Sequence, residues 1–323
     1  MKTRSFAAFT APSVVLMLLL LALPLAMTLW LSVRTCTTPM ELVTVQQTGP
    51  FGTHPVTTQR AKVDAEGRPM QDCRFVGGAY YRAILGLGDA KPAEGQPVEF
   101  LGALRFTLMY IAGTTPFVLG GGLALALAMN HVTQRLRGAF IAASLLPFII
   151  TPVVGALALK WLFRDGALVP HLLSGLGVEL YWMAQPWSAQ LLVVLYGIWH
   201  VLPFAFIVFY AGLQSVPQDA LEAATLDGAS RWQKLRFVTL PHLMPLVVFV
   251  TLIHLMDAYR VFEPVVVLTQ GAFTTSVQYL TYHVLLQEDN PYKASAAAVL
   301  TIVGIAVLLV PLLRKTWREQ RGG

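Results

Sequence analysis

Between Glu222 and Pro241 the chain reads EAATLDGASRWQKLRFVTLP, a compact polar module between two long apolar segments. The 323 residues are 55% hydrophobic and only 12% charged, with a mean hydropathy of +0.61. That is far more apolar than a soluble domain of this size, and it places the chain among membrane proteins. Pro217 suits the first turn of a short helix, and Gln218, Asp219 and Glu222 set polar or acidic groups near the positive end of its dipole. Asp227-Gly228 reads as a turn, with Gly228 free to take a positive φ as a C-terminal cap. Ser230 to Gln233 fits a capping box opening a second helix, with Trp232, Leu235 and Val238 on one face, Arg231, Lys234 and Arg236 more exposed, and Pro241 at its end.

Working outward, stretches without Asp, Glu, Lys or Arg run over Ser5–Val33, Phe106–Gln134, Gly138–Leu159, Leu180–Ala220, Phe237–Met256 and Ala294–Leu313. Each holds the roughly 20 apolar residues that a helix needs to cross the hydrocarbon core. The expected fold class is therefore all-α integral membrane, with six transmembrane helices. The fifth is interrupted by Asp257, Arg260 and Glu263 before apolar Pro264–Leu268. Lys2 and Arg4 precede the first run, but Ala11–Val33 exceeds the roughly 7–15 residues of a signal-peptide core and predicts a retained helix.

Basic residues resist translocation, so their placement in short loops orients the helices. Lys2, Arg4, Arg135, Arg137, Arg231, Lys234, Arg236, Arg314, Lys315, Arg318 and Arg321 fall on one side, which predicts that both termini and the 222–241 module are cytoplasmic. The opposite short loops offer little more than Arg164 and Lys293. The expected layout is an N-terminal tail and first helix (1–34), an extended first periplasmic loop (35–99), a transmembrane core (100–313) containing the polar loop (215–243), and a C-terminal tail (314–323). The Pro50–Pro69 portion of the first loop reads as turn-rich. That loop holds the only cysteines, Cys36 and Cys73; an oxidising compartment permits a disulfide, and two unpaired thiols are the alternative. A sequence pI near 9.4 comes from basic residues spread over several loops and termini, which anchors the chain at a lipid surface and does not indicate nucleic-acid binding.

Physics alone reads the 222–241 module as an interfacial loop whose basic residues meet anionic head groups. The pattern E-A-A-x3-G-x9-[IV]-x-L-P, filled by Glu222, Ala223, Ala224, Gly228, Val238, Leu240 and Pro241, resembles the signature loop of permease subunits of binding-protein-dependent ABC importers. Phe75–Tyr80, Leu146–Pro152, Lys160–Phe163 and Val261–Gly271 look like the carbohydrate-uptake branch, of the maltose and glycerol-phosphate permease type. Departures are Gln270-Gly271-Ala272, where relatives often carry Gly-Gly-Pro, and the insertion around Cys36 to Cys73. The resemblance implies a multi-pass subunit of a bacterial inner membrane. Glu222, Ala223, Ala224, Asp227, Gly228, Leu240 and Pro241 would couple it to a cytoplasmic ATPase. It also implies a second permease, two ATPase subunits and a periplasmic solute-binding protein, with ATP and Mg used by the ATPase and no cofactor held by this chain. No G-x-x-x-x-G-K-[ST] loop occurs, in keeping with a non-enzymatic transport subunit.

Ionisable residues at membrane depth face a cavity or one another. With helix five taken as Pro245–Leu268, Asp257, Arg260 and Glu263 recur every three residues and can pair along one face. With helix four as Ser188–Gly212, Trp199 and His200 lie near the midplane and Tyr196 one turn away. Together with Tyr259 these residues are expected on a substrate pathway, aromatic faces and hydrogen-bonding groups suiting a sugar; the alternative is a structural ion pair with packed aromatics. His242 and His254 lack the spacing of a metal site. An intramembrane enzyme built on Asp257, His200 or His254, and an ion-coupled secondary transporter, are the competing functional readings.

Overall fold

The computed structural model describes residues 3–49, 52–64, 67–87, 100–177 and 181–321. Lys2, the loop boundary at Glu99 and parts of the Pro50–Pro69 stretch lie outside the described residues. By contact density the chain forms two units, Met1–Lys91 with Val284–Leu300, and Pro92–His283 with Thr301–Gly323.

In the first unit α1 (Thr3–Ser32) is apolar all round, as a lipid-facing helix should be, with Val14 to Trp30 largely exposed. At its end Ser32 is fully buried and accepts a 2.7 Å hydrogen bond from Tyr81 of α2 (Ala79–Ile84). Among the described residues four strands follow α1: β1 (Arg34–Thr37), β2 (Met40–Gly49), β3 (Gly52–Ala61) and β4 (Asp72–Phe75). The stretch expected to be turn-rich is thus largely a hairpin arm. Antiparallel β2 and β3 pair from Met40 opposite Ala61 to Gly49 opposite Gly52. The reason is local: Val43, Thr44, Val45, Val56, Thr57 and Thr58 are β-branched and favour the pleated backbone, whatever Gly and Pro say at the ends.

A two-stranded ribbon is only marginally stable alone, and this one is stapled at its base. β1 pairs with β4 so that Cys36 faces Cys73, and a disulfide joins them across 37 residues of chain. Closing that loop restricts the unfolded arm, so Cys36→Ala should accelerate protease cleavage within residues 37–72 by about 30-fold or more, given a typical bridge worth about 2–4 kcal/mol. Limited proteolysis of membrane vesicles with and without reductant checks this; equal cleavage rates would mean the bridge restrains nothing.

The second unit contains α3 (Phe100–Met129), α4 (Gln134–Ile149), α5 (Pro152–Phe163), α6 (Leu168–Gly175), α7 (Pro186–Leu213), α8 (Gln218–Leu226), α9 (Arg231–Lys234) and α10 (Leu240–Tyr259). Thereafter come a π-helical turn at Val265–Thr269, α11 (Val277–Leu286) and α12 (Pro291–Arg321), the last two running on through residues of the first unit. Among the described residues, five helical stretches are long and apolar enough to cross a membrane: Phe9–Ser32, Phe100–Met129, Pro186–Leu213, Arg231–Tyr259 and Pro291–Arg314. The sixth expected span is broken: Gln134–Ile149 and Pro152–Gly175 meet at 94°. A residue before proline is pushed out of the α region, and both Ile150 (ψ 133°) and Thr151 (ψ 142°) are extended before Pro152. The single helix expected over Gly138–Leu159 is corrected accordingly. The strands of the first loop are the other departure from an all-α chain, within a fold that is mostly helical.

Two further boundaries differ. Pro241 does not end the second helix of the polar module. A π turn at Leu235–Thr239 carries α9 directly into α10, forming one 29-residue stretch from Arg231 to Tyr259. The Leu240 N–H bonds to Leu235 O, and where the ladder shifts register in this way a proline's missing donor leaves no gap. Helix five, expected to reach Leu268, is interrupted: α10 stops at Tyr259, residues 260–262 are non-helical, and Glu263 opens the next helical turn with Pro264.

Small residues bring α3 and α7 together, as they do where membrane helices pack without a hydrophobic driving force. A Cβ on Gly122 would lie 2.7 Å from Ala205 Cβ and 3.0 Å from the Phe206 backbone nitrogen. Phe206, Phe209, Val118 and Val250 fill the core beside it. Gly122→Ala should therefore destabilise the helix pair by about 1–2 kcal/mol through overpacking, read as a lower thermal midpoint in nanodiscs; an unchanged midpoint would show that the helices slide apart freely.

Candidate functional site

The polar module stands out from the helical unit as an exposed hook. α8 has no buried residue, Glu222 and Ala223 are exposed, and Ala224 is half-buried. Asp227 caps α8, its N–H donating to Ala223 O, while the Ala229 N–H reaches Ala224 O at 2.9 Å. This closure requires Gly228 at φ +75°, and nothing lies within 4 Å of where its Cβ would stand. Glycine is there for conformation and not for space. The capping box is complete: Ser230 N–H donates to Gln233 Oε1 (2.7 Å) and Gln233 N–H to Ser230 Oγ (3.3 Å). Lys234 Nζ donates to Thr225 Oγ1 at 2.8 Å and fixes α9 against α8. Trp232, expected on one face with Leu235 and Val238 while Arg231, Lys234 and Arg236 are more exposed, is itself 67% exposed, as are Leu226 and Phe237 to a similar or greater degree. Lys234 is half-buried because it serves that Thr225 bond.

A second feature is a cavity of about 460 Å³ between α3, α4, α5, α7, α10 and the 260–264 link. Tyr196, His200, Asp257, Arg260 and Glu263 line it, as do Tyr110, Phe148, Phe204, His254 and Gln278. Tyr196 and His200, one turn apart on α7, stack with ring centroids 5.6 Å apart. Tyr196 donates to Pro152 O (2.7 Å), and His200 Nδ1 lies 2.8 Å from Pro147 O. Asp257 and Arg260 pair at 3.3 Å, both more than half exposed. The three-residue face expected to carry Glu263 as well does not form, because the helix ends between them.

Two expected pathway residues lie elsewhere. Tyr259 is 1% exposed, does not line the cavity, and packs on Gly304 of α12. Trp199, on the same helix as Tyr196, does not line it either and sits over Gly155. Sequence reading missed Tyr110, Phe148 and Gln278, whose apolar or solitary settings give no signal, and the pairing of His254 Nε2 with Thr114 Oγ1 at 3.1 Å.

The wall beyond Glu263 is held by polar side chains. Ser276 donates to Val261 O (2.6 Å) and Lys160 Nζ on α5 to Val267 O (2.7 Å). Gln270 (φ 52°) and Gly271 (φ 81°) turn the chain, and the Tyr279 ring packs where a Gly271 side chain would stand. Tyr279 donates to Gln270 O at 2.6 Å. Burial, and then Tyr282 beside it, push the Tyr279 phenol above its ordinary range, so it stays a donor at neutral pH.

A multi-pass helical unit with a broken span, an exposed hook and an internal polar cavity defines a membrane transport subunit. Residues 100–321 match the family described as the binding-protein-dependent transport system inner membrane component, and the chain belongs to that family. It is 31% identical over 258 residues, covering 77% of this chain and 87% of the other, to a probable ABC transporter permease of Pyrococcus horikoshii. The trehalose transport system permease SugA of Mycobacterium tuberculosis is 33% identical over 222 residues, 68% of this chain and 71% of its own. Among solved structures, a bacterial alginate ABC transporter in complex with an alginate pentasaccharide-bound periplasmic protein aligns at a TM-score of 0.65 and 26% identity, covering 75% of this chain and 83% of that one. As a member of this family the chain is a transport permease and not an enzyme.

Proposed function

We propose that this permease moves a sugar or related polyol across a bacterial inner membrane, delivered by a periplasmic binding protein and driven by ATP hydrolysed, with Mg, on two separate subunits. The observation that carries the ATPase coupling is the exposed α8 with its Glu222-Ala223-Ala224 face and the Gly228 turn, a preformed hook with small residues for close approach. The substrate class is supported by the trehalose permease and by the alginate transporter, whose periplasmic partner carries a saccharide. The hook and both termini face the cytoplasm and the β2–β3 arm faces the periplasm, by the distribution of Lys and Arg. A second permease completes the pathway. Tyr196, His200, Asp257, Arg260 and Glu263 contact the solute on this chain's side.

Energetically, ATP and the loaded binding protein must each favour the outward state for the cycle to run. The test is reconstitution of the chain with the products of its cognate transport genes in vesicles, using the solute that co-purifies with the binding protein. Uptake should require internal ATP and binding protein and should persist without an ion gradient. Uptake driven by an ion gradient alone would overturn the reading.

A further inference from the structure

The broken α4–α5 span is held from one side by two residues of a single helix. Tyr196 reaches Pro152 O just after the break and His200 reaches Pro147 O just before it, at 2.7 and 2.8 Å. They stand one turn apart on α7 with stacked rings, and a Cβ on Gly155 would be 3.3 Å from the Tyr196 hydroxyl, so α5 approaches them closely. In a continuous helix Pro147 O would accept from the Thr151 N–H. The extended backbone at Ile150 and Thr151 removes that donor, and His200 replaces it. A carbonyl only accepts, so Nδ1 bears the proton, and the neutral ring then turns an acceptor, Nε2, to its other side. His200 lines the cavity, and Nε2 has no hydrogen-bond partner among the described residues.

We infer that Tyr196 and His200 are positioning residues that clamp the break in the α4–α5 span, with His200 joining that break to the solute cavity. A solute hydroxyl donating to Nε2 polarises the ring and strengthens the Nδ1–H bond to Pro147 O. Occupancy therefore favours the bent arrangement, the differential interaction that a ligand-driven shift requires. The inference rests on the permease reading for its role in transport, and on the geometry alone for the clamp.

His200→Asn and His200→Gln separate the two ring nitrogens. Asn places an amide donor where Nδ1 stands, whereas Gln places its amide near Nε2 and leaves Pro147 O without a donor. Both lose the aromatic stack equally, so a role in packing alone treats them alike. The full chain is assembled with its cognate subunits in nanodiscs, and amide exchange is followed at Ile150 and Gly155, whose N–H groups donate to Leu146 O and Thr151 O on the two sides of the break. In His200→Gln, exchange should rise by about tenfold and binding-protein-stimulated ATP hydrolysis fall by about as much, while His200→Asn stays within about twofold of wild type in exchange. Tyr196→Phe, which keeps ring and volume, should follow His200→Gln and decides the matter if that variant does not fold. Equal exchange in the Asn and Gln variants, or none raised by Tyr196→Phe, would overturn the clamp. If the wild-type chain captures no ATPase subunit, the permease reading fails instead, and the exchange measurements still judge the clamp.

Discussion

Deleting Glu222–Gly228 should reduce ATP-driven solute uptake by at least about 100-fold while the chain remains in the membrane, because truncating the centre of a protein interface costs about 2–4 kcal/mol or more. The hook can be removed without disturbing the core, since none of α8 is buried. Its geometry rests on local bonds: the Ala229 N–H to Ala224 O, the capping box at Ser230 and the Lys234–Thr225 contact. Gly228→Val isolates one of them. A β-branched residue at φ +75° costs about 1–3 kcal/mol of backbone strain, and with nothing within 4 Å it meets no neighbour. The substitution should re-aim α8 and lower uptake by about tenfold, with smaller loss of ATPase co-purification than the deletion. Glu222→Lys reverses the charge at an exposed position in the middle of α8 and should weaken capture of the ATPase with little change in thermal midpoint. Uptake that survives the deletion would remove the hook from the mechanism.

The hook was legible because its signals are local. Asp227-Gly228 announces a cap, Ser230 with Gln233 announces a box, and neither needs a partner from elsewhere in the chain. The apolar spans were legible for the same reason, hydropathy being a property of a window. Legibility failed where backbone direction depends on which carbonyls find donors. Pro152 breaks a span and Pro241 does not, although both are prolines in apolar surroundings. The difference is that the register shift at Leu235–Thr239 absorbs the missing donor, whereas at Ile150–Thr151 the chain turns and α7 supplies Tyr196 and His200. The cavity was half legible. Asp257, Arg260 and Glu263 stand out as charges in an apolar run, but Tyr259 looks identical to Tyr196 in sequence and is turned onto Gly304 by the end of its helix. The β2–β3 arm was missed because Gly and Pro at its ends outweighed β-branched residues in its strands.

Lys160→Met is expected to cut uptake by about 10- to 100-fold, the range corresponding to loss of a charge-assisted hydrogen bond of about 1.5–3 kcal/mol. A lysine on a helix of the membrane unit is costly unless it is paired, and here its partner is a carbonyl that the backbone has abandoned. In the π turn at Val265–Thr269 the N–H groups that follow are already spoken for: Gly271 donates to Val265 O and Ala272 to Thr269 O. Val267 O is left to Lys160 Nζ at 2.7 Å. A cation at the C-terminal end of a helical turn is also favoured by the local dipole. The bond ties α5, one half of the broken span, to the segment that carries Glu263 and Val261 along the cavity wall. Removing it should let these two walls separate, so uptake should fall together with a drop of a few degrees in thermal midpoint. Lys160→Arg, which keeps a donor of similar reach, should restore most of both. Methionine preserves the apolar stem and volume, so a loss in Lys160→Met that arginine does not rescue would point to packing and not to the bond, and full activity in Lys160→Met would show that the carbonyl finds another donor during transport.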